Sequence, residues 1–236
     1  MLQTYQTRLS AKTQLTHDVY RLHFDLIEPR ELIFIPGQYM IMMVPQPNGE
    51  PVRRLYSITS PGGQTGNFEL IIKIEPFGKA STYVLNMPVG ENVTFQGPAG
   101  VFQLKDNARE KVFLATGCGL APIRSIIVSC IKNQPSRLFW GVPAYKDVYL
   151  LDELKNFQLA HPHFQFTICL SREQNLEMIP ESDRKYFALG HINVCFEALP
   201  TLEYYLCGSR HVTDSLKEFL LKDKDIPPDQ IISEKF

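Results

Sequence analysis

The sequence predicts two domains: an antiparallel β-barrel, then an α/β domain built on a parallel sheet. Three observations carry that prediction. The first hundred residues hold several short strand patterns separated by Gly/Pro turns. A charged polar stretch, Lys105-Asp106-Asn107-Ala108-Arg109-Glu110-Lys111, then interrupts them. Beyond it, strand and helix patterns alternate, which implies a parallel sheet with helices on both faces. The boundary falls between residues 107 and 108, giving domains over 1–107 and 108–236.

In the first domain, Tyr20, Leu22, Phe24 and Leu26 alternate with Arg21, His23 and Asp25. That period of two marks a half-buried strand. Pro36-Gly37 breaks the chain before a strand at 39–44, and 45–51 reads as a hairpin loop. Strands follow around Arg54, at 68–74 and at 92–96, with one short helix at 81–86. In the second domain, strands are expected at 111–116, 137–142, 164–170, 204–207 and 231–236. Helices are expected at 123–132, 150–159, 194–199 and 213–221.

The bulk numbers fit this plan and exclude several functions. The 236 residues suffice for two modest domains, and 44% hydrophobic residues can build a real core. A formal net charge of −1 implies no basic face, so nucleic acid is not an expected partner. No apolar run reaches transmembrane length, and the start of the chain reads as neither signal nor transit peptide. A soluble cytoplasmic protein, monomeric by default and away from membranes, is the expectation. The five cysteines, at 118, 130, 169, 195 and 207, are odd in number and lack any C-x-x-C pair. A disulfide framework, a plant-type iron–sulfur cluster and a zinc site are all unsupported, so no metal is expected.

Four segments carry candidate chemistry. Arg54-Leu55-Tyr56-Ser57-Ile58-Thr59-Ser60 sets a fixed cation, an aromatic ring and hydroxyls along one extended segment. A flavin dinucleotide suits it: guanidinium on pyrophosphate, phenol ring on isoalloxazine, hydroxyl toward flavin N5. An ordinary alternating strand would look the same. Gly78-Lys79-Ala80-Ser81 opens the short helix and offers backbone N–H groups to a pyrophosphate, or a plain N-cap by Ser81. Thr116-Gly117-Cys118-Gly119-Leu120-Ala121-Pro122 follows the first strand of the second domain. Its glycines let a ligand approach the backbone, and Pro122 suits a first helical turn. Cys207-Gly208-Ser209 ends a later strand, where open α/β sheets bind ligands; a buried structural cysteine is the plainer alternative. Phe236, the last residue, reads as a loose end, a core plug or a cap on a flavin ring.

Together these segments resemble the ferredoxin–NADP reductase superfamily along the whole chain. Arg54-Leu55-Tyr56-Ser57 resembles its R-x-Y-S flavin motif, and Gly78 to Ser81 its G-x-x-S phosphate turn. Gly97-Pro98-Ala99-Gly100-Val101-Phe102 is similar to the G-P-x-G-x-F segment that closes the barrel. Thr116 to Pro122 resembles T-G-[TS]-G-[IL]-A-P, Cys207-Gly208 the C-G motif, and Glu234-Lys235-Phe236 the terminal E-x-aromatic. Cys118, Ser209 and Val212 depart from that pattern, where Thr or Ser, Pro and Met are usual.

The resemblance implies an FAD-binding barrel followed by a Rossmann-like NAD(P)-binding domain. FAD would be held by Arg54, Leu55, Tyr56 and Ser57, by Gly78, Lys79, Ala80 and Ser81, and by main chain at Ile72 and Lys73. Phe236 would stack on the flavin ring face opposite Tyr56. Ser57, Cys207 and Glu234 fall where the family keeps residues that assist hydride transfer. Leu170-Ser171-Arg172-Glu173-Gln174 resembles an S-R-x-Q element for a 2′-phosphate, and Val142-Pro143 lies in a segment similar to plant-type members. These favour NADPH, with NADH as the other choice.

The implied activity is an FAD-dependent NAD(P)H reductase serving a separate carrier such as ferredoxin, flavodoxin or an oxygenase component. A flavin reductase, and a flavin-bearing subunit that acts only inside a larger complex, are the alternatives.

Overall fold

The computed structural model describes residues 2–47, 49–63, 65–131 and 133–236. Two compact units emerge. One comprises the chain up to Leu104 with Arg124–Ser129; the other comprises Lys105–Ile123 with Cys130–Phe236.

The first unit is antiparallel. Its strands are β1 (Gln3–Gln14), β2 (Val19–Glu28), β3 (Tyr39–Val44), β4 (Val52–Ser57), β5 (Asn67–Lys73) and β6 (Asn92–Ala99). They lie in the order β4-β3-β6-β1-β2-β5. The two ends of the sheet meet: Ile58 bridges Leu70, and the Thr59 N–H donates to the Glu69 carbonyl at 2.9 Å. Closure removes the open edges that a free sheet would expose. The alternation in β2 puts Leu22 and Phe24 wholly inside. There Phe24, Phe68 and Phe95 pack with ring centroids 5.4, 4.9 and 5.1 Å apart, two of the three pairs edge-on.

β1 was not legible in the sequence. It places Tyr5, Thr7 and Leu9 inward, and the polar Thr7 breaks the apolar alternation. The fold tolerates Thr7 because its hydroxyl donates to the Val93 carbonyl at 2.9 Å.

The short helix α1 (Lys79–Asn86) starts two residues before its predicted start at Ser81, because Gly78 is the cap residue. The Ser81 hydroxyl does not cap it; it accepts the Glu75 N–H at 2.9 Å. At the other end, Lys12 Nζ donates to the carbonyls of Val84, Leu85 and Met87 at 3.1, 2.9 and 2.9 Å. A cation there satisfies terminal carbonyls and opposes the negative end of the helix dipole.

The second unit carries a six-stranded sheet in the order β10-β9-β8-β7-β11-β12, with every pairing parallel. The elements run β7 (Lys111–Thr116), α2 (Leu120–Cys130, of which Arg124–Ser129 fall in the first unit), β8 (Ser136–Val142), α3 (Leu151–Ala160) and β9 (Phe164–Leu170). Then follow β10 (Phe187–Leu189), α4 (Ile192–Cys195), β11 (Glu203–Gly208), α5 (Arg210–Glu218) and β12 (Ile231–Lys235). The chain winds outward from β7 through β8, β9 and β10, then crosses back to β11. The point of reversal lies between β7 and β11, where such sheets open a ligand crevice at the carboxyl ends of the strands.

Three predicted boundaries move. Helix α4 spans Ile192–Cys195 instead of 194–199, because Phe196 turns extended at ψ 158 and Pro200 disfavours helix at Leu199. Helix α5 begins at Arg210 and runs into a wider π-type turn, Phe219–Asp223. Helix α2 begins three residues early, with Pro122 in its first turn. Lys132, its predicted end, and Asn48, in the predicted hairpin loop, lie outside the described residues. Among the described residues no helix is long and apolar enough to cross a membrane.

Candidate functional site

The flavin segment occupies β4, an end strand of the first sheet. Pairing with β3 sets Met42 opposite Arg54, Met40 opposite Tyr56 and Tyr39 opposite Ser57. Strand alternation puts Arg54 and Tyr56 on one face, Leu55 and Ser57 on the other. Arg54 is exposed, and its Nη1 donates to the Arg53 carbonyl at 2.9 Å. Most of its donors therefore remain turned outward, as a phosphate ligand needs. Tyr56 packs part-buried against the barrel core. Burial pushes its phenol pKa up, with the Arg54 charge opposing. The ring thus stays a neutral phenol at ordinary pH, suited to lie on an aromatic ligand.

Helix α1 packs on β3 and β4, so its first turn belongs to the same region. The N–H groups of Lys79, Ala80 and Ser81 have no acceptor within the helix. A Cβ on Gly78 would lie 3.1 Å from Ser81 Oγ and 3.2 Å from the Glu75 carbonyl, so the turn is tight as built. Phe77 precedes it at φ 60, fully exposed. Left-handed backbone at a bulky residue costs roughly 1–2 kcal/mol. Ile72 has its side chain buried in the barrel, so it can offer a ligand only main chain. Lys73 is exposed, its Nζ 3.7 Å from Asp18 and 4.0 Å from Glu75.

In the second unit the site is made mostly of backbone. Thr116 ends β7, and Gly117–Gly119 form a single 3-10 turn into α2. A Cβ on Gly119 would lie 2.0 Å from the Cys207 carbonyl oxygen, and one on Gly208 would lie 1.9 Å from Thr116 Oγ1. The turns after β7 and β11 therefore interlock through two glycines. Gly117 is the opposite case: φ is 51, and nothing lies within 4 Å of where its Cβ would stand. Its carbonyl accepts Trp140 Nε1 at 3.0 Å and the Tyr149 hydroxyl at 3.1 Å. Those two rings pack edge to face at 4.7 Å. Leu120 and Ala121 are buried and anchor the helix that follows.

Cys207 is buried and pairs in register with Ala115 on one side and Glu234 on the other. Burial first, then the Glu234 charge, pushes its thiol pKa well up, while a hydrogen bond at the Gly208 backbone opposes. It stays a neutral thiol and not a thiolate nucleophile. Phe236 is tied down: its N–H donates to the Gly208 carbonyl at 3.2 Å, and its own carbonyl accepts the Arg210 N–H at 3.1 Å. The residue is 61% exposed, so it plugs no core, and the two backbone bonds hold it in place.

The ends of β8 and β9 are joined as well. Ser171 N–H donates to the Val142 carbonyl at 3.1 Å, and Arg172 N–H to the Pro143 carbonyl at 2.9 Å. Arg172 is exposed, while the Glu173 carboxylate accepts the Tyr145 N–H at 3.1 Å.

The first unit thus gathers Arg54–Ser57, Ile72, Lys73 and Gly78–Ser81. The second gathers Thr116–Pro122, Val142, Pro143, Ser171, Arg172, Cys207–Ser209, Glu234 and Phe236. Sequence reasoning missed the residues that hold these turns. Trp140 and Tyr149 fix Gly117. In the first unit, Arg124 and Ser125 of α2 donate to the carbonyls of Thr59 and Ser60 at 2.6 and 2.7 Å, just beyond the flavin segment. No local pattern marks a side chain that bonds a carbonyl distant in sequence.

The donor set suits a flavin dinucleotide and a nicotinamide dinucleotide, and known proteins agree. Two family models match: an oxidoreductase FAD-binding domain over residues 6–104 and an oxidoreductase NAD-binding domain over 113–218. An NADH-cytochrome b5 reductase-like protein of Homo sapiens is 30% identical over 227 residues, covering 89% of this chain and 70% of that protein. The reductase component of propane 2-monooxygenase from Mycolicibacterium smegmatis is 28% identical, covering 100% of this chain and 68% of its own. Among solved structures, a cytochrome P450 reductase of Amycolatopsis superposes with a TM-score of 0.85 at 25% identity, covering 100% of this chain and 70% of its own.

Proposed function

Because the chain belongs to the ferredoxin–NADP reductase superfamily, we propose that it draws electrons from NAD(P)H through FAD and delivers them to a separate redox protein. The carrying observation is that one chain joins an FAD-binding domain to an NAD-binding domain, with a glycine turn opening a helix in each. When bound, FAD supplies hydride acceptance from the nicotinamide and onward release of electrons singly or in pairs. The protein's own residues bind and orient. Arg54 and the first turn of α1 would take the pyrophosphate, Tyr56 would support the ring, and Ser57 would hold a hydrogen bond near the reacting atom. The turn at Gly117–Gly119 would take the nicotinamide cofactor's diphosphate, with Cys207 and Glu234 lining the reacting end. The exposed Phe236 ring would shield the flavin until the nicotinamide replaces it.

Arg172 offers a cation for a 2′-phosphate, and Glu173, the nearby carboxylate, is already engaged by the Tyr145 N–H. That favours NADPH. A second reading, NADH, rests on the human relative, whose name specifies NADH. The recipient we favour is a ferredoxin, a flavodoxin or an oxygenase component. The propane monooxygenase relative is named as a reductase component, which supports that choice. We place the protein in the cytoplasm as a monomer.

An anaerobic titration tests the whole reading. Purified protein should carry or take up FAD, and NADPH should bleach its visible spectrum at lower concentration than NADH. A colourless protein that takes up no FAD and oxidises neither nucleotide would end the proposal. Ser57→Ala should slow flavin reduction at least tenfold while FAD affinity changes little, since positioned groups typically contribute 10²–10⁴-fold. Equal reduction rates would remove Ser57 from the mechanism.

A further inference from the structure

The second unit holds two thiols that the reductase chemistry does not use. Cys169 lies in β9 and is fully buried; Cys195 ends α4 and is half-buried. In the β8–β9 pairing, Cys169 stands beside Gly141. Ile192 of α4 fills the space above that glycine, since a Cβ on Gly141 would lie 3.0 Å from Ile192 Cδ1. Helix α4 is therefore seated on the β8–β9 pair. Cys195 follows Ile192 by three residues and shares its helix face. Cys195 packs on the cluster that contains Cys169 and Ile192, and the helix that carries it contacts both β8 and β9. Cys195 is held in place by a bond from its Sγ to the His191 carbonyl at 3.3 Å. Burial pushes the Cys169 thiol pKa up, which keeps it neutral and leaves Cys195 as the sulfur that a small oxidant reaches.

We propose that Cys169 and Cys195 are a peroxide-sensitive dithiol that closes to a disulfide, tying α4 to β9. The oxidant is hydrogen peroxide, which reduced flavins generate when they meet dioxygen. Cys195 sulfur attacks one peroxide oxygen and the O–O bond breaks. The departing hydroxide takes the Cys195 thiol proton and leaves as water, and Cys195 becomes a sulfenic acid. Cys169 sulfur then attacks Cys195 sulfur, and the sulfenic hydroxyl leaves with the Cys169 proton as a second water. Two thiols thereby lose two electrons, and one peroxide becomes two waters. The bond closes the segment that carries Ser171 and Arg172.

The test exposes the purified full chain to hydrogen peroxide, blocks remaining thiols by alkylation and maps tryptic peptides by mass spectrometry. The expected result is a disulfide between the peptides spanning 156–172 and 186–210, with fragment ions placing it at Cys195 and not at Cys207. Two of the five thiols should disappear, and dithiothreitol should restore both. Cys195→Ser, at a half-buried site, should fold normally and lose the cross-link while Cys169 stays reduced. Five surviving thiols would overturn the proposal. So would a cross-link between Cys118 and Cys207, or Cys195 oxidised to sulfinic acid with Cys169 free.

Discussion

The two candidate binding regions are built on opposite principles. In β4 the chemistry sits in side chains on an end strand, and Arg54 and Leu55 are exposed. Between β7 and β11 it sits in backbone at the middle of a sheet, and Cys207 and Gly119 are buried. A side-chain site can be altered without disturbing the fold, because water already surrounds it. A backbone site cannot, because the strands that shape it are also the core. Lys111 and Glu203 show the cost of that central position. They pair in register at the amino ends of β7 and β11, almost wholly removed from solvent, with Nζ 2.6 Å from Glu203 Oε2. Asn107 and the Tyr205 hydroxyl complete the network at 3.0 and 2.7 Å.

Lys111→Met should therefore have the largest effect. It leaves Glu203 buried without its main counter-charge and should cost about 3–5 kcal/mol in denaturant unfolding. A loss below about 1 kcal/mol would mean that the second sheet does not depend on that pair.

Gly119→Ala should come next, at about 3 kcal/mol, because its methyl group meets main chain that cannot swing aside. Nicotinamide cofactor binding should fall with it. Gly78→Ala, whose methyl group meets Ser81 Oγ at 3.1 Å, should cost about 1 kcal/mol. Equal losses in the two variants would erase the contrast between the regions.

Arg54→Ala should leave the stability of the flavin-free protein unchanged within about 0.5 kcal/mol, as for other exposed positions. FAD affinity, read by fluorescence titration, should weaken roughly ten- to hundredfold, as for loss of charge-assisted hydrogen bonds worth about 1.5–3 kcal/mol. Unchanged affinity would shift the pyrophosphate elsewhere.

The smallest effect is in pH dependence. Burial alone would raise the Glu203 pKa, but hydrogen bonds from Lys111, Tyr205 and Asn107 outweigh it and lower the value. A depressed folded pKa contributes stability that is present above the unfolded value, about 4.3, and lost as pH falls through the folded one. Acid unfolding of the native protein should steepen below about pH 4.3, and Glu203→Gln should flatten that slope. Parallel slopes would exclude Glu203 as a contributor.

Legibility followed the same division. The flavin-motif candidate could be picked out as a unit, because its cation, ring and hydroxyls lie consecutively along one strand and the segment just after it. The glycine turn after β7 could be located, but not the reason for Gly119, since Cys207 lies 88 positions later in the chain. Strand β10 escaped because three residues carry no period, and β1 because Thr7 interrupts its apolar face.

What the sequence determined alone was the two-domain plan of strands followed by alternating strands and helices, apart from β1 and β10, and the motifs that point to FAD and a nicotinamide cofactor. Alternation and turn chemistry are local, so they survive in one dimension. What only the tertiary structure decided was which atoms share a site. It set Gly119 on Cys207, put Trp140 and Tyr149 on the Gly117 carbonyl, hung Phe236 between Gly208 and Arg210, and packed Cys195 on the core cluster that holds Cys169. Those contacts join residues far apart in the chain, and close packing in three dimensions, not any local preference, selects them.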